Sequence, residues 1–313
     1  MPELVAGMRI GVTLTNAGDT AANAVDATIE TAREAADAGL RTAWLGQRFD
    51  WDSPALAGLV GRAVPELELG TSAIPIFGRH PLTVAASAQT AQAATHGRYH
   101  LALALGAKEI VEGAYGIEYA RPVAVLREYL TALRAAFAGQ EHHGELVTAA
   151  APWASTMPGG ESVPVLVAAM GPQALEVTGE LADGTVPLLA GPRALGDHIV
   201  PQLARAAQRA GRPDPRVVAV VPGALTSDVD SAREVFAEHL SWYERIPSYR
   251  RAIGLSGAER AGELAVLGDE AVLREQVRRY FDAGATEVVF SSTELLGEQT
   301  RSRTLAALGA LRG

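Results

Sequence analysis

The chain has 313 residues, 48% of them hydrophobic, enough for a sizeable core in one large domain or two small ones. A formal charge of −9 and no basic face in the sequence argue against nucleic acid as a partner, and zero cysteines exclude disulfides, thiol catalysis and thiolate metal sites. No run of about 18 apolar residues could span a bilayer and no signal pattern opens the chain, so a cytoplasmic protein without membrane contact is expected.

In chain order, the apolar run at 8–14 predicts a strand and the alanine-rich spacing over 20–38 a helix, closed by Gly39 as a left-handed cap before a compact strand at 42–45. The same helix, glycine and strand recur at 281–290, which suggests repeated helix-to-strand units. Between these ends the alternation continues. Strands are predicted at 67–72 and 100–105, and helices at 81–95 and 122–137.

Residues 139–160 break the rhythm with a hairpin and a Pro/Gly-rich loop, an excursion rather than a domain boundary. It resumes with strands at 165–168, 184–187 and 217–221 and helices from Pro172, from Arg193 to 210 and over 228–245. A mixed insert over 246–268, a helix at 270–283, a last strand and a helix from Glu298 complete the chain. Eight strands separated by helices is the count of a (β/α)8 barrel in a single α/β domain over 1–313, with insertions at about 106–121, 139–162 and 246–268. An open doubly wound sheet is the competing reading, because strand count alone does not close a sheet.

Barrels and open α/β sheets both place chemistry at the C-terminal ends of strands. The segment 69–81 delivers Arg79 and His80 to such an end and hands over to a helix begun by Pro81. Met170, Gly171 and Pro172 follow a strand and open a helix, where free amides and the dipole suit an anion, although a tight turn uses glycine equally well. Ala190, Gly191, Pro192 and Arg193 repeat that chemistry and add a guanidinium, so two neighbouring strand ends favour phosphate.

No GxGxxG follows the first strand and no Walker motif occurs, which argues against a Rossmann nicotinamide pocket or a nucleoside triphosphate. Lys108, the only lysine, lies just past a strand end and is either a substrate contact or a solvated charge. His80 is either a proton donor or a structural histidine. Gln47, Arg48 and Phe49 are candidates for site lining, while Asp52 or Ser53 reads as a helix cap. His142 and His143 point to opposite faces of a strand with no third ligand nearby, so no metal is expected.

Several long blocks in order resemble the luciferase-like flavin and deazaflavin oxidoreductases, and within them the actinobacterial coenzyme F420-dependent subgroup. They are GLRTAWLGQRFDW at 39–51, LGTSAIPIFGRHPLTVAASAQTAQAATHGR at 69–98, EGAYGIEYARPVAVLREYLTAL at 112–133, PVLVAAMGPQALEVTGELADGT at 164–185 and AGPRALGDHIVPQL at 190–203.

The resemblance implies a (β/α)8 barrel with the deazaflavin ring at the C-terminal mouth, backed by a non-prolyl cis peptide at Ser72-Ala73. The cofactor-binding set it implies is Gln47, Ser72, Ala73, Ile74, Gly106, Ala169, Met170, Gly171, Pro172, Ala190, Gly191 and Arg193, with His80, Arg79 and Lys108 as the catalytic candidates. It further implies hydride exchange between F420 and a small organic substrate in a homodimer. An FMN-dependent monooxygenase and a cofactor-less binding barrel are the alternatives. Two places depart from the family pattern. HLALALGA at 100–107 carries alanines where relatives have glycine and polar residues, and Ala190 stands where relatives often have a hydroxyl. A shifted substrate pocket, a preference for FMN and weakened cofactor binding stay open, the first being favoured.

Overall fold

Short apolar runs become strands and alanine-rich stretches become helices over residues 8–14 and 21–311, the part of the chain that this computed structural model describes. The first strands and helices are β1 (Arg9–Thr13), α1 (Ala24–Asp37), β2 (Thr42–Leu45) and α2 (Ser53–Ala63). The third strand comes in two pieces, β3 (Glu68–Thr71) and β4 (Ile74–Pro75), before α3 (Pro81–Ala94). Next, β5 (Tyr99–Ala104) leads into a short α4 (Lys108–Gly113) and a long α5 (Pro122–Phe137), then a hairpin of β6 (His142–His143) and β7 (Thr148–Ala149). β8 (Val165–Val167), α6 (Pro172–Leu181) and β9 (Gly184–Thr185) precede α7 (Pro192–Ala194), one π-helical turn and α8 (Val200–Arg209). β10 (Arg216–Leu225), α9 (Val229–Leu240), α10 (Pro247–Leu255), β11 (Val266–Gly268), α11 (Glu270–Asp282), β12 (Glu287–Ser291) and α12 (Glu298–Ala310) complete the order.

The hairpin is antiparallel, the other strands pair in parallel, and the fold is a (β/α)8 barrel with β1, β2, β3, β5, β8, β9, β10 and β12 as its staves. Most boundaries sit where local chemistry puts them. Pro81, Pro122 and Pro172 each occupy the first helical turn, where a missing N–H costs nothing. Gly39 and Gly284 both have left-handed φ, and each stands in a cap closed by the same two bonds, Gly39 to Ala36 with Leu40 to Ala35, and Gly284 to Phe281 with Ala285 to Tyr280.

Four expectations shift. The first helix starts at Ala24, because Asn23 accepts from the amides of Val25 and Asp26, and residue 20 lies outside the described residues. The strand expected over 184–187 keeps only Gly184–Thr185, continued by a single bridge from Leu188 to Val220. The helix expected over 193–210 is interrupted by the π turn at Leu195–Ile199. The strand expected over 217–221 runs on to Leu225, because the unforeseen β11 pairs with its end, Gly223 opposite Val266.

Two compact units divide the chain, one of 1–44, 186–202 and 216–313, the other of 45–185 and 203–215. In the first, Phe236, Leu240, Ile253 and Leu267 belong to one buried core cluster, and Gly309 of α12 lies against the end of α1 so closely that a Cβ there would sit 1.6 Å from the Ala38 carbonyl oxygen. Gly309→Ala should therefore destabilise the protein by about 2–3 kcal/mol, since backbone must move to admit the methyl group; an unchanged urea midpoint would refute that contact.

In the second unit, Gly61 of α2 faces Thr95 after α3, and Gly179 of α6 faces Ala206 of α8, so helices close on one another through glycine. Among the described residues no helix is long and apolar enough to cross a membrane.

Candidate active site

The second unit brings together the C-terminal ends of β3, β4, β5 and β8. β3 pairs with β5 through Leu69–Tyr99 and Gly70–His100, and β4 resumes at Ile74–Leu103. Three residues, 71–73, therefore stand opposite two, 101–102, which is a bulge. The Ser72-Ala73 peptide inside it is cis, where the family resemblance places it. Thr71 replaces the missing ladder bonds. Its hydroxyl donates to the Ala102 carbonyl at 3.1 Å and accepts from the Ala102 amide at 2.8 Å, while the Ser72 amide donates to the Leu45 carbonyl at 2.8 Å. Ser72 and Ala73 are half-buried, whereas Ile74 is fully buried and belongs to the core.

Next to the bulge, β5 ends in Ala104 and then Gly106, whose carbonyl accepts from the Tyr119 hydroxyl at 3.2 Å. The Tyr119 ring packs on Phe77 with centroids 5.1 Å apart. Burial, with Glu109 nearby, pushes the Tyr119 phenol above its ordinary range, so it stays a protonated donor at neutral pH. On the other side of β5, the buried Thr185 hydroxyl bonds to the Val167 carbonyl at 2.8 Å and the Ala169 carbonyl at 3.0 Å, fixing the end of β8. Ala169 is buried and Met170 half-buried.

Gly171 is then the N-cap of α6, with no side chain capping the helix, and a Cβ on it would meet nothing within 4 Å. Adjacent parallel strands lie about 4.8 Å apart, so the bulge, Gly106 and the Gly171 turn stand side by side. The amides of a first helical turn have no partner within the helix. An uncapped, unobstructed turn of this kind fits an anionic group.

The polar candidates have other work. Gln47 faces its own loop, donating to the carbonyls of Arg48 and Trp51 at 2.5 Å each and accepting from the Ser53 amide at 3.1 Å and hydroxyl at 2.9 Å. Its amide is fully used in holding the loop, a role that its place at a strand end did not reveal. Arg79 donates to Asp52 at 2.6 Å, and the other Asp52 oxygen caps α2 at the Ala55 amide. His80 caps α3, its Nδ1 accepting from the Leu82 amide at 3.2 Å, so Nε2 carries the proton and donates to the Thr148 carbonyl at 2.8 Å. Both ring nitrogens are thereby occupied. His80→Ala should cost about 1 kcal/mol through the lost cap, read as a lower urea midpoint.

Lys108 opens α4, is 62% exposed, and lies 3.8 Å from Glu112. Asp52 acts as the expected cap, and His142 and His143 pair across the hairpin with Ala149 and Thr148.

In the first unit, Ala190 is buried and the Gly191 amide donates to the Ser256 hydroxyl at 2.8 Å, with a Cβ on Gly191 only 3.1 Å from Ser256. That amide is already engaged. α7 is a three-residue turn that passes into the π turn, and Arg193, 69% exposed, lies 3.9 Å from Asp197. Thr71, Thr185, Tyr119 and Ser256 were not legible as site supports, because each acts on a backbone group distant in the chain.

A parallel (β/α)8 barrel with a bulged third strand and an open helix terminus at the C-terminal ends of its strands has the layout of a barrel enzyme. The chain belongs to the luciferase-like monooxygenase family, whose model matches residues 8–289. It is 28% identical over 244 residues, 71% of this chain and 68% of the relative, to a Mycobacterium tuberculosis protein provisionally named a coenzyme F420-dependent oxidoreductase. The fold is similar to that of the coenzyme F420-dependent tetrahydromethanopterin reductase from Methanopyrus kandleri, with TM-score 0.77 and 20% identity over 97% of this chain and 98% of that one. It is equally similar to the oxygenating constituent of 3,6-diketocamphane monooxygenase from Pseudomonas putida, which is in complex with FMN, with TM-score 0.77 and 15% identity over 97% of both chains.

Proposed function

We propose that this protein is an oxidoreductase that exchanges a hydride between coenzyme F420 and a small organic substrate, reducing an activated C=C or C=N bond or oxidising an alcohol. The observation that carries the reading is the uncapped, open turn at Gly171 in a chain similar to a protein provisionally named a coenzyme F420-dependent oxidoreductase. The cofactor supplies the hydride when bound; the protein supplies orientation and proton control.

In this reading the amides at the start of α6 hold the phosphate of the tail, and Ser72 and Ala73 back the ring. Met170 and Gly106 lie at the flanking strand ends. The Gly191 amide is engaged by Ser256 and is not counted among these contacts. Arg79 and His80 act as positioning groups that tie the bulge loop to α2 and to the hairpin. Lys108 is left as the group able to meet a substrate anion or pass a proton.

A spectral titration tests the cofactor assignment. F420 should bind with a dissociation constant on the order of micromolar, and absence of binding at tenfold higher concentrations sinks the proposal. The FMN-bound relative of equal fold similarity keeps one alternative specific. A protein that purifies with FMN and consumes oxygen with reduced flavin is a monooxygenase instead. We further take the protein to be a cytoplasmic homodimer; a monomeric mass in sedimentation would reject the dimer.

A further inference from the structure

The loop over 46–53, which joins β2 to α2, is held by its own side chains. Gln47 makes four hydrogen bonds within it. Arg48 donates to both oxygens of Asp50, at 3.0 and 2.9 Å, and lies over the Trp51 ring at 4.6 Å. That bond holds the Asp50 carboxyl below its ordinary range, so the pair is mutually neutralised at physiological pH. Trp51 donates to the Gly46 carbonyl at 3.0 Å, and Asp52 caps α2 and pairs with Arg79. Every side chain from Gln47 to Ser53 is used inside this scaffold except Phe49.

Phe49 is 72% exposed, an unusual position for a ring on so ordered a loop. One neighbour explains its orientation. Its ring meets Tyr115, from the turn after α4, with centroids 5.8 Å apart and planes inclined by 53°. The Tyr115 ring also lies close to Gly78, on the loop after β4. A Cβ at Gly78 would sit 3.3 Å from that ring, and the left-handed φ of +84° excludes larger residues in any case. Loops from three strand ends thus build a tilted aromatic pair at the end of the second unit where chemistry is expected.

We infer that the Phe49–Tyr115 pair is a preorganised platform for the substrate, and that it selects an uncharged aromatic or conjugated group. Rigid presentation matters because a ring that is already ordered loses little freedom when a ligand stacks on it. The Arg48–Asp50 pair beside it carries no net charge. A tilted ring pair offers a face and an edge, the two geometries that a third aromatic ring prefers. The inference rests on the oxidoreductase reading for its substrate, while the platform itself is testable without it.

Saturation-transfer NMR of the whole protein with acetophenone, an uncharged aromatic ketone, with and without F420, is the test. The wild type should bind it with a dissociation constant of about 1 mM, and Phe49→Ala and Tyr115→Ala should each weaken binding about tenfold. Phe49→Tyr should restore wild-type affinity, and Leu59→Ala, at another exposed apolar residue on α2, should change nothing. Equal binding by Phe49→Ala, or no wild-type signal at about 10 mM, overturns the platform. A change in sedimenting mass in Phe49→Ala with acetophenone binding intact would assign the rings to a contact between copies, which also overturns it. Failure of the wild type to bind F420 while acetophenone binding still depends on Phe49 would reject the cofactor reading and leave the aromatic site standing.

Discussion

Gly171→Asp should leave the melting temperature unchanged or slightly raised while weakening F420 binding by at least about 100-fold. The two effects separate because they have different causes. Gly171 is the N-cap of α6, its φ of −85° suits any residue, and a Cβ there meets nothing within 4 Å, so the fold accepts the change. Aspartate is among the preferred N-caps and satisfies amides that glycine leaves free. Those are the amides that would hold the phosphate, and a carboxylate about 5 Å from a phosphate charge opposes it by about 3 kcal/mol at an effective dielectric of 20. Gly171→Ala is the control, since it adds neither charge nor an acceptor. Wild-type F420 affinity in Gly171→Asp would move the anion site away from α6, and a lowered melting temperature would show that the turn is less open than its geometry indicates.

Glu287→Ala should destabilise the protein by about 3–4 kcal/mol, lowering the melting temperature by on the order of 10 °C. Glu287 begins β12 with no exposure to solvent, accepts from the Trp44 indole at 2.8 Å and from Arg216 at 2.9 Å, and has Arg9 at 3.5 Å. Truncation removes the acceptor of the buried indole N–H, which costs about 1–3 kcal/mol, and takes a carboxylate away from two guanidinium groups. Both arginines keep 27–39% of their side chains exposed, so solvent offsets part of the charge cost and the estimate stays below that of a fully buried pair. Glu287→Gln keeps an acceptor for Trp44 and should lose about half as much. Calorimetry of the two variants decides the matter. Equal losses would mean that the ion pairs carry the stability, and no loss in either would mean that the network is replaceable.

The alternation of strands and helices was legible because each element depends on residues near in the chain. Proline in the first turn of α3, α5 and α6, glycine after α1 and α11, and the apolar run of β2 state their own conformations wherever they occur. The bulge at Ser72-Ala73 was placed by family resemblance alone, since nothing in SAI by itself asks for it. The pairing of β11 with β10 was missed because three residues over 266–268 become a strand only against a neighbour some 40 residues earlier. Gln47, Arg79 and His80 follow strand ends, but their side chains turn toward loop carbonyls, a carboxylate and the hairpin rather than into an open site.

The sequence by itself determined the alternation of strands and helices and the proline and glycine boundaries, because backbone caps and glycine positions are local; the extents of β9 and β10, the π turn after Pro192 and the engaged Gly191 amide came from the fold. Only the tertiary structure decided which polar groups remain available. The Trp44 and Glu287 partners are 243 positions apart, and Phe49, Gly78 and Tyr115 meet from three loops. A hydrogen bond or a ring contact requires two groups to arrive at one place, and that requirement belongs to the fold rather than to any single segment.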